Sequence, residues 1–274
     1  MRKYSPYHKS IMSFLSQIRI VLVEPSHPGN IGSVARAMKT MGLSNLVLVN
    51  PKKFPHVEAS KLAAGADSVL MDAKVVSTTS EAIGDCTMVL GTSVRDREVT
   101  WPTFDPRQTA SLVSKHLATV SADNSVAVLF GRESSGLTNA EMDLCQSQIR
   151  ISANVEYSSL NLASAVQIIA YEIRMQANAD SAGLSLDDGV ELASLEKQAL
   201  TPAQKRQQVA TKLQQEKHLE HLQNTLESLE FVKVTPPTVL MRKLTRLYSK
   251  ADLSVEEIQI LRGIYSAMQN KMSE

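Results

Sequence analysis

Between Ile18 and about Met175, short apolar runs alternate with longer stretches of helical periodicity. The runs are Ile18–Val23 (IRIVLV), Leu46–Val49, Thr87–Leu90, Val126–Phe130 and Ile149–Ile151, with Lys74–Val76 a weaker sixth. Runs rich in Val, Ile and Leu, without polar alternation, suit strands buried on both faces. Strands separated by helical stretches predict βαβ units: an α/β fold with a parallel sheet and helices on both faces. After the first run, Ile31, Val34, Ala35, Met38 and Met41 recur at helical spacing, with Asn30 placed as N-cap and Gly42 as the residue past the helix end. Arg36 falls on the opposite side of that helix. A second helix, Ala163–Arg174, follows the last run.

The flanking segments differ from this pattern. Residues 1–16 are polar and weakly patterned and read as a tail, leaving 17–175 as the α/β domain. Residues 176–200 form an acidic linker with Gly183 and Gly189. Residues 201–274 form a helical extension, opened by Thr201-Pro202. Leu213, His218, Leu222, Leu226 and Leu229 continue at helical spacing to about Val232. Pro236-Pro237 interrupts. A basic helix from about Thr238 to Lys250 follows, and Ser254-x-x-Glu257 is a capping box for a last helix with Ile258, Leu261, Ile264, Tyr265 and Met268 on one face.

Composition removes several classes. The 274 residues are 43% hydrophobic and 21% charged, which excludes wholesale disorder and collagen. No apolar run approaches the roughly 18 residues of a membrane span. Cys86 and Cys145 provide neither a disulfide framework nor a zinc spacing, so a reducing cytoplasm is the natural setting. The formal charge of +1 gives no global sign of a nucleic-acid partner. That sum hides local bias. Residues 1–20 carry bases and no acid, 176–196 acids and no base, and 232–250 Lys233, Arg242, Lys243, Arg246 and Lys250 with no acid. Such a distribution fits selective contact with a shaped partner rather than broad electrostatic adhesion.

The predicted strand ends carry the candidate chemistry. In open α/β sheets ligands bind beyond the carboxyl ends of the strands. Here those ends read Glu24-Pro-Ser-His-Pro-Gly-Asn-Ile-Gly, Gly91-Thr-Ser-Val-Arg-Asp-Arg97, Gly131-Arg-Glu-Ser-Ser-Gly-Leu-Thr138, and Ser152 to Leu162 (SANVEYSSLNL). The first is neither a dinucleotide fingerprint nor a Walker loop, but its amides could hold an anion at the helix start. No His–Cys or carboxylate cluster suggests a metal; His27 and His56 are isolated loop residues. Small residues, hydroxyls, amides and arginines suit a cofactor held through backbone contacts, with arginines for RNA phosphate or developing oxyanion charge.

Three blocks, HPGNIGSVARAMKTMG at 27–42, VLFGRESSGLT at 128–138 and YSSLNLASAVQIIAYEI at 157–173, resemble in order and spacing the motifs of the SPOUT methyltransferases, the knotted S-adenosylmethionine-dependent RNA methylases, in their ribose 2′-O-methylating branch. Asn154-Val-Glu-Tyr-Ser-Ser-Leu-Asn-Leu162, in which Val155 replaces a usual proline, and Leu240–Ala267 are similar to the bacterial subgroup that methylates cytidine or uridine 32 of tRNA. The resemblance implies a deep trefoil knot, a homodimer, tRNA as partner and S-adenosylmethionine as cofactor. It implies Arg36 as the catalytic arginine, with Asn30, Glu133, Ser159 and Asn161 orienting it, the dimer partner or the cofactor. It places the cofactor against Thr92, Ser93, Val94, Gly131, Ile151, Ser158, Ser159 and Leu160. Arg95, Arg97, Arg132 and, on the basic helix, Arg242, Lys243 and Arg246 are candidates for RNA contact, with surface salt bridges as their alternative role. Methylation of ribosomal RNA or of another tRNA site, and RNA binding without catalysis, are the competing functions.

Overall fold

A computed structural model describes residues 6–95, 101–120, 125–183, 208–231 and 239–272. The chain groups into two units: residues 1–82 with 88–196, and residues 83–87 with 197–274.

The first unit is built on β1 (Ile18–Val23), β2 (Asn45–Val49), β3 (Lys74–Val76), β4 (Cys86–Thr92), β5 (Thr103–Phe104), β6 (Ser125–Phe130) and β7 (Ser147–Ile149), in the order β3-β2-β1-β6-β4-β7-β5. The pairs β1–β2, β1–β6, β2–β3, β4–β7 and β5–β7 are parallel, with Val21 opposite both Val47 and Leu129. Every residue of β1 and β6 is buried, as the unalternating apolar runs require of a sheet covered on both faces. The covering helices include α2 (Pro28–Met41), α3 (Val57–Ala63), α6 (Pro106–Thr119) and α8 (Leu162–Ser181). Their stripes (Ile31, Val34 and Met38 of α2; Val166, Ile169 and Ile173 of α8) join Ile20, Leu22, Val128 and Phe130 in one core.

β7 lies between β4 and β5, both of which precede it in the chain. A late strand inserted between two earlier connected ones is unusual, since chains rarely thread their own loops. It is the insertion that the implied knotted connectivity requires.

The structure corrects several boundaries. Residues 6–16 form a helix, α1 (Pro6–Ser16), with Ile11 and Leu15 buried in the core, rather than a tail. The strand expected at Ile149–Ile151 is Ser147–Ile149, so Ile151 lies past its end. Polar Ser147 and Gln148, both buried, disguised that strand. The two-residue β5 is too short to show periodicity. α8 continues to Ser181, into the segment read as linker. The Thr201-Pro202 helix start and Gly189 lie outside the described residues.

The second unit contains helices Lys212–Ser228, Val239–Ser249 and Val255–Met272. Thr211 and Gln214 cap the first helix reciprocally, and Ser254 and Glu257 form the expected capping box of the last. Leu213 N–H donates to the Gly84 carbonyl, tying 83–87 to this unit. Ile258, Tyr265, Leu222, His218 and Met241 are buried. Ile264 and Met268, expected on the packed face of the last helix, are exposed together with Ile260.

Candidate functional site

The parallel sheet brings the ends of β1, β4, β6 and β7 to one edge, and the loops that leave them are joined by side-chain hydrogen bonds. Glu133, three residues past β6, is the hub. Its carboxylate accepts from the Ser26 N–H at 3.1 and 3.2 Å, the Ser26 hydroxyl at 2.9 Å, the His27 N–H at 3.3 Å and Asn30 Nδ2 at 3.1 Å. Asn30 Oδ1 in turn accepts from Asn161 Nδ2 at 3.2 Å. The three motif residues Asn30, Glu133 and Asn161 thus form one chain across three loops. Burial disfavours the Glu133 anion, but bonds from Asn30, its own backbone and Ser26 outweigh it and hold the carboxyl down at about 2.

This arrangement revises the first loop. Asn30 is not the N-cap of α2. His27 is, its Nδ1 accepting from Gly29 N–H at 3.2 Å, with Pro28 as first helical residue. His56 caps α3 in the same way, through Glu58 N–H. Histidine is an uncommon cap, so the composition of the loops offered no signal for it. The anion at the start of α2 is an internal one, the Glu133 carboxylate, placed where free amides and the helix dipole favour negative charge. The glycines serve packing: a Cβ on Gly32 would lie 2.1 Å from the Ala59 carbonyl oxygen, and one on Gly29 2.8 Å from Leu62 Cδ1. Gly42 closes the helix in the left-handed conformation, φ 83°, as expected.

Arg36 sits on the exposed face of α2, opposite the buried stripe. Among the described residues its guanidinium has no hydrogen bond or ion pair, which leaves it available to a substrate.

Arg132 is placed otherwise. Its Nη1 and Nη2 donate to the two oxygens of Glu141, each at 3.0 Å, and its Nε donates to Glu24 Oε2 at 2.9 Å, with Nη2 2.7 Å from Glu24 Oε1. The ion pairs given as its alternative role are present. The Arg132 hydrogen bond holds the Glu24 carboxyl below its usual range, and hydrogen bonds to Glu24 and Glu141 raise the guanidinium pKa. Glu24 adopts φ 46°, a conformation costly for a residue with a Cβ. Glu24, Ser26 and Glu141 escaped sequence reasoning. Glu141 also completes a capping box with Thr138, three positions before it.

The residues expected around the cofactor lie on the same edge. Thr92 Oγ1 donates to the Leu129 carbonyl at 2.9 Å, linking β4 to β6. Ser93 N–H donates to the Ile149 carbonyl at 3.1 Å, and its carbonyl accepts from Gln148 Nε2. The Val94 carbonyl accepts from Arg150 Nη2. Gly131 faces its own loop so closely that a Cβ would fall 2.0 Å from the Gly136 carbonyl carbon. Ser158 and Ile151 are half-buried; Ser159, Leu160 and Val94 are exposed. Small residues and hydroxyls beside the exposed apolar Val94 and Leu160 fit a bent nucleoside with a polar amino-acid tail. Arg95 and Lys243 are exposed, Arg242 and Arg246 half-buried. Arg97 lies outside the described residues. Among the described residues no group of His, Cys, Asp or Glu is arranged to hold a metal, and no helix is long and apolar enough to cross a membrane.

Known proteins match this chain along most of its length. Residues 17–171 match the SpoU rRNA Methylase family, and residues 213–274 match the domain described as "tRNA methyltransferase TrmJ, C-terminal domain". The chain is 44% identical over 255 residues to the tRNA (cytidine/uridine/adenosine-2'-O-)-methyltransferase TrmJ of Pseudomonas aeruginosa, covering 93% of this chain and 95% of that protein. It is 44% identical over 260 residues to the tRNA (cytidine/uridine-2'-O-)-methyltransferase TrmJ of Cronobacter sakazakii, covering 95% and 99%. The crystal structure of TrmJ from Z. mobilis superposes with a TM-score of 0.73 at 33% identity, covering 92% of this chain and 98% of that one.

Proposed function

The chain belongs to the SpoU rRNA methylase family and carries a TrmJ-type C-terminal domain, and from that premise we propose that it methylates the ribose 2′-hydroxyl of cytidine or uridine at position 32 of tRNA. It is a methyltransferase, and its cofactor is S-adenosylmethionine. Relatives named for tRNA match nearly the whole chain, including the C-terminal helices, and this favours tRNA over ribosomal RNA.

The observation that best supports a catalytic rather than purely binding role is the Asn161–Asn30–Glu133 chain, which organises the helix bearing Arg36, exposed and without a hydrogen-bond or ion-pair partner among the described residues. The bound cofactor supplies an electrophilic methyl on a sulfonium centre. Thr92, Ser93 and Val94, Gly131, Ile151, and Ser158, Ser159 and Leu160 would hold it at the strand ends. Arg36 binds the 2′-oxygen. A guanidinium has donors and no acceptor, so its contribution would be donation to the alkoxide that develops as the hydroxyl passes its proton to solvent and its oxygen takes the methyl, the sulfur keeping the bonding pair. Asn30 and Glu133 act through the helix as positioning residues. Arg95, Arg97, Arg242, Lys243 and Arg246 contact RNA phosphates.

The domains follow the same reading: the α/β domain, with α1 and the whole of α8, is catalytic, and the C-terminal helices are an RNA-binding extension. Two chains pair, covering apolar side chains that a single chain exposes, Val155 at 96%, Tyr157 at 80% and Tyr171 at 47%. A tRNA substrate places the protein in the cytoplasm.

The test is to incubate the protein with tritiated S-adenosylmethionine and unmodified tRNA, then map modified riboses by mass spectrometry. Label at nucleotide 32 is expected. Arg36→Ala should lose the label while cofactor binding, measured by calorimetry, persists. No label at nucleotide 32 of any tRNA defeats the assignment, and absent cofactor binding points to an RNA binder.

A further inference from the structure

The Arg132 side chain is only 22% exposed and engages two carboxylates, from the first residue after β1 and from α7 (Asn139–Asp143). Its fork on Glu141 is bidentate, the geometry that distinguishes arginine from lysine. Arg132 is also chained to its neighbour. The Arg132 N–H donates to the Gly136 carbonyl and the Gly136 N–H donates back at 2.8 Å, so the loop that presents Glu133 is a closed turn hung on this guanidinium. On the other side, Glu24 lies two residues before Ser26, whose N–H and hydroxyl both bind Glu133. Charge argues against a phosphate partner here: Glu24, Glu133 and Glu141 carry three negative charges against Arg132 and the nearby Lys52. An RNA phosphate would have to displace a carboxylate within a net negative cluster.

We propose that Glu24, Arg132 and Glu141 form a charge clamp that holds Glu133 at the start of α2, making Arg132 a positioning residue for methyl transfer rather than a contact to RNA. The proposal rests on the methyltransferase reading above. Glu24 and Arg132 join the β1 and β6 loops by charge, and Ser26 and Glu133 join them again by hydrogen bonds. The doubled link fixes the register between Asn30 and Asn161, and with it the helix that carries Arg36. A displacement of about 1 Å in such a constellation costs on the order of a hundredfold in rate.

The experiment compares Arg132→Lys, Arg132→Gln, Glu24→Gln and the double variant Arg132→Gln/Glu24→Gln, measuring kcat, tRNA KM and thermal unfolding. A clamp requires the fork, so Arg132→Lys should lose kcat nearly as far as Arg132→Gln, about tenfold or more, with tRNA KM within about twofold of wild type. The double variant should be no worse than Arg132→Gln alone, because both changes break one unit. A phosphate contact gives the opposite pattern: Arg132→Lys close to wild type, and Arg132→Gln raising tRNA KM and reducing the salt slope by about 0.7–0.9. That pattern overturns the proposal, as does wild-type kcat in every variant. Should Arg132→Gln fail to fold, Glu24→Gln, which leaves the Glu141 fork intact, decides: lowered kcat at wild-type melting temperature supports the clamp, and unchanged kcat refutes it. The double-mutant cycle in unfolding stability needs no activity. Were the wild-type protein inactive on tRNA, the function reading would fall while coupling between Glu24 and Arg132 still judged the clamp, with coupling near zero ruling it out.

Discussion

Asn161 Nδ2 donates to Asn30 Oδ1 at 3.2 Å, joining the residue that caps α8 to the third residue of α2. Asn161 Oδ1 meanwhile accepts from Ala163 N–H at 2.9 Å. One amide therefore performs two tasks that substitution can separate. Asn161→Ala removes both and should cost about 1 kcal/mol through the lost cap. Asn161→Asp keeps the cap oxygen and loses the donor to Asn30. Its melting temperature should stay near wild type while its methylation rate falls with that of Asn161→Ala. Equal activity of Asn161→Asp and wild type would sever this bond from catalysis.

Glu133 makes the protein acid-sensitive in a defined window. Its folded-state carboxyl titrates at about 2 against an ordinary 4.5, because burial is outweighed by bonds from Asn30, its own backbone and Ser26. A depressed carboxyl binds fewer protons folded than unfolded, so its contribution is complete above 4.5 and disappears as pH falls through about 2. Urea unfolding across that range should show a shallower decline for Glu133→Gln. At neutral pH the same variant should lose about 1 kcal/mol, discounted for partial exposure.

Two glycines should respond in opposite directions to alanine. Gly32→Ala drives a Cβ to 2.1 Å from the backbone oxygen of Ala59, where only movement of α2 from α3 gives relief. Overpacking of that kind costs about 1–3 kcal/mol. Gly263, in helix Val255–Met272, is exposed with nothing within 4 Å of its would-be Cβ. Gly263→Ala should stabilise by about 0.5–1 kcal/mol, since alanine is the better helix former. Calorimetric melting of the two variants checks both signs.

His218 gives the helical unit its own pH dependence. The ring is 1% exposed, stacks on Tyr265 at 5.6 Å and meets Tyr248 edge-on at 4.7 Å, and neither nitrogen has a hydrogen-bond partner among the described residues. Burial, with Arg262 and His221 adding positive charge, lowers its pKa below the usual 6.5. A histidine kept neutral while the unfolded chain takes up a proton loses stability as pH falls below about 6.5, and regains it above. Helical signal from this unit should therefore decline between neutral and acidic pH, and His218→Phe should both flatten that decline and raise stability at pH 6.

Much of the architecture was written in local pattern. β1, β2 and β6 fall within one residue of the apolar runs, because a strand buried on both faces has no polar position to interrupt it, while the short and largely exposed β3 coincides with its weaker run. Gly42 and the Ser254–Glu257 box were legible because their roles depend on neighbours three or four residues away. The motif residues Arg36, Asn30, Glu133 and Asn161 could be named by resemblance from sequence alone. What sequence did not hold was which of them touch. Glu133 and Ser26 are separated by 107 positions and Asn161 and Asn30 by 131, and only the strand order that stacks β1, β6, β4 and β7 side by side brings their ends together. The same order decided that Arg132 faces Glu24 and Glu141, that His27 rather than Asn30 caps α2, and that β7 enters between two earlier strands. Periodicity records the environment of each element, whereas partners across loops are set by how the whole sheet is threaded.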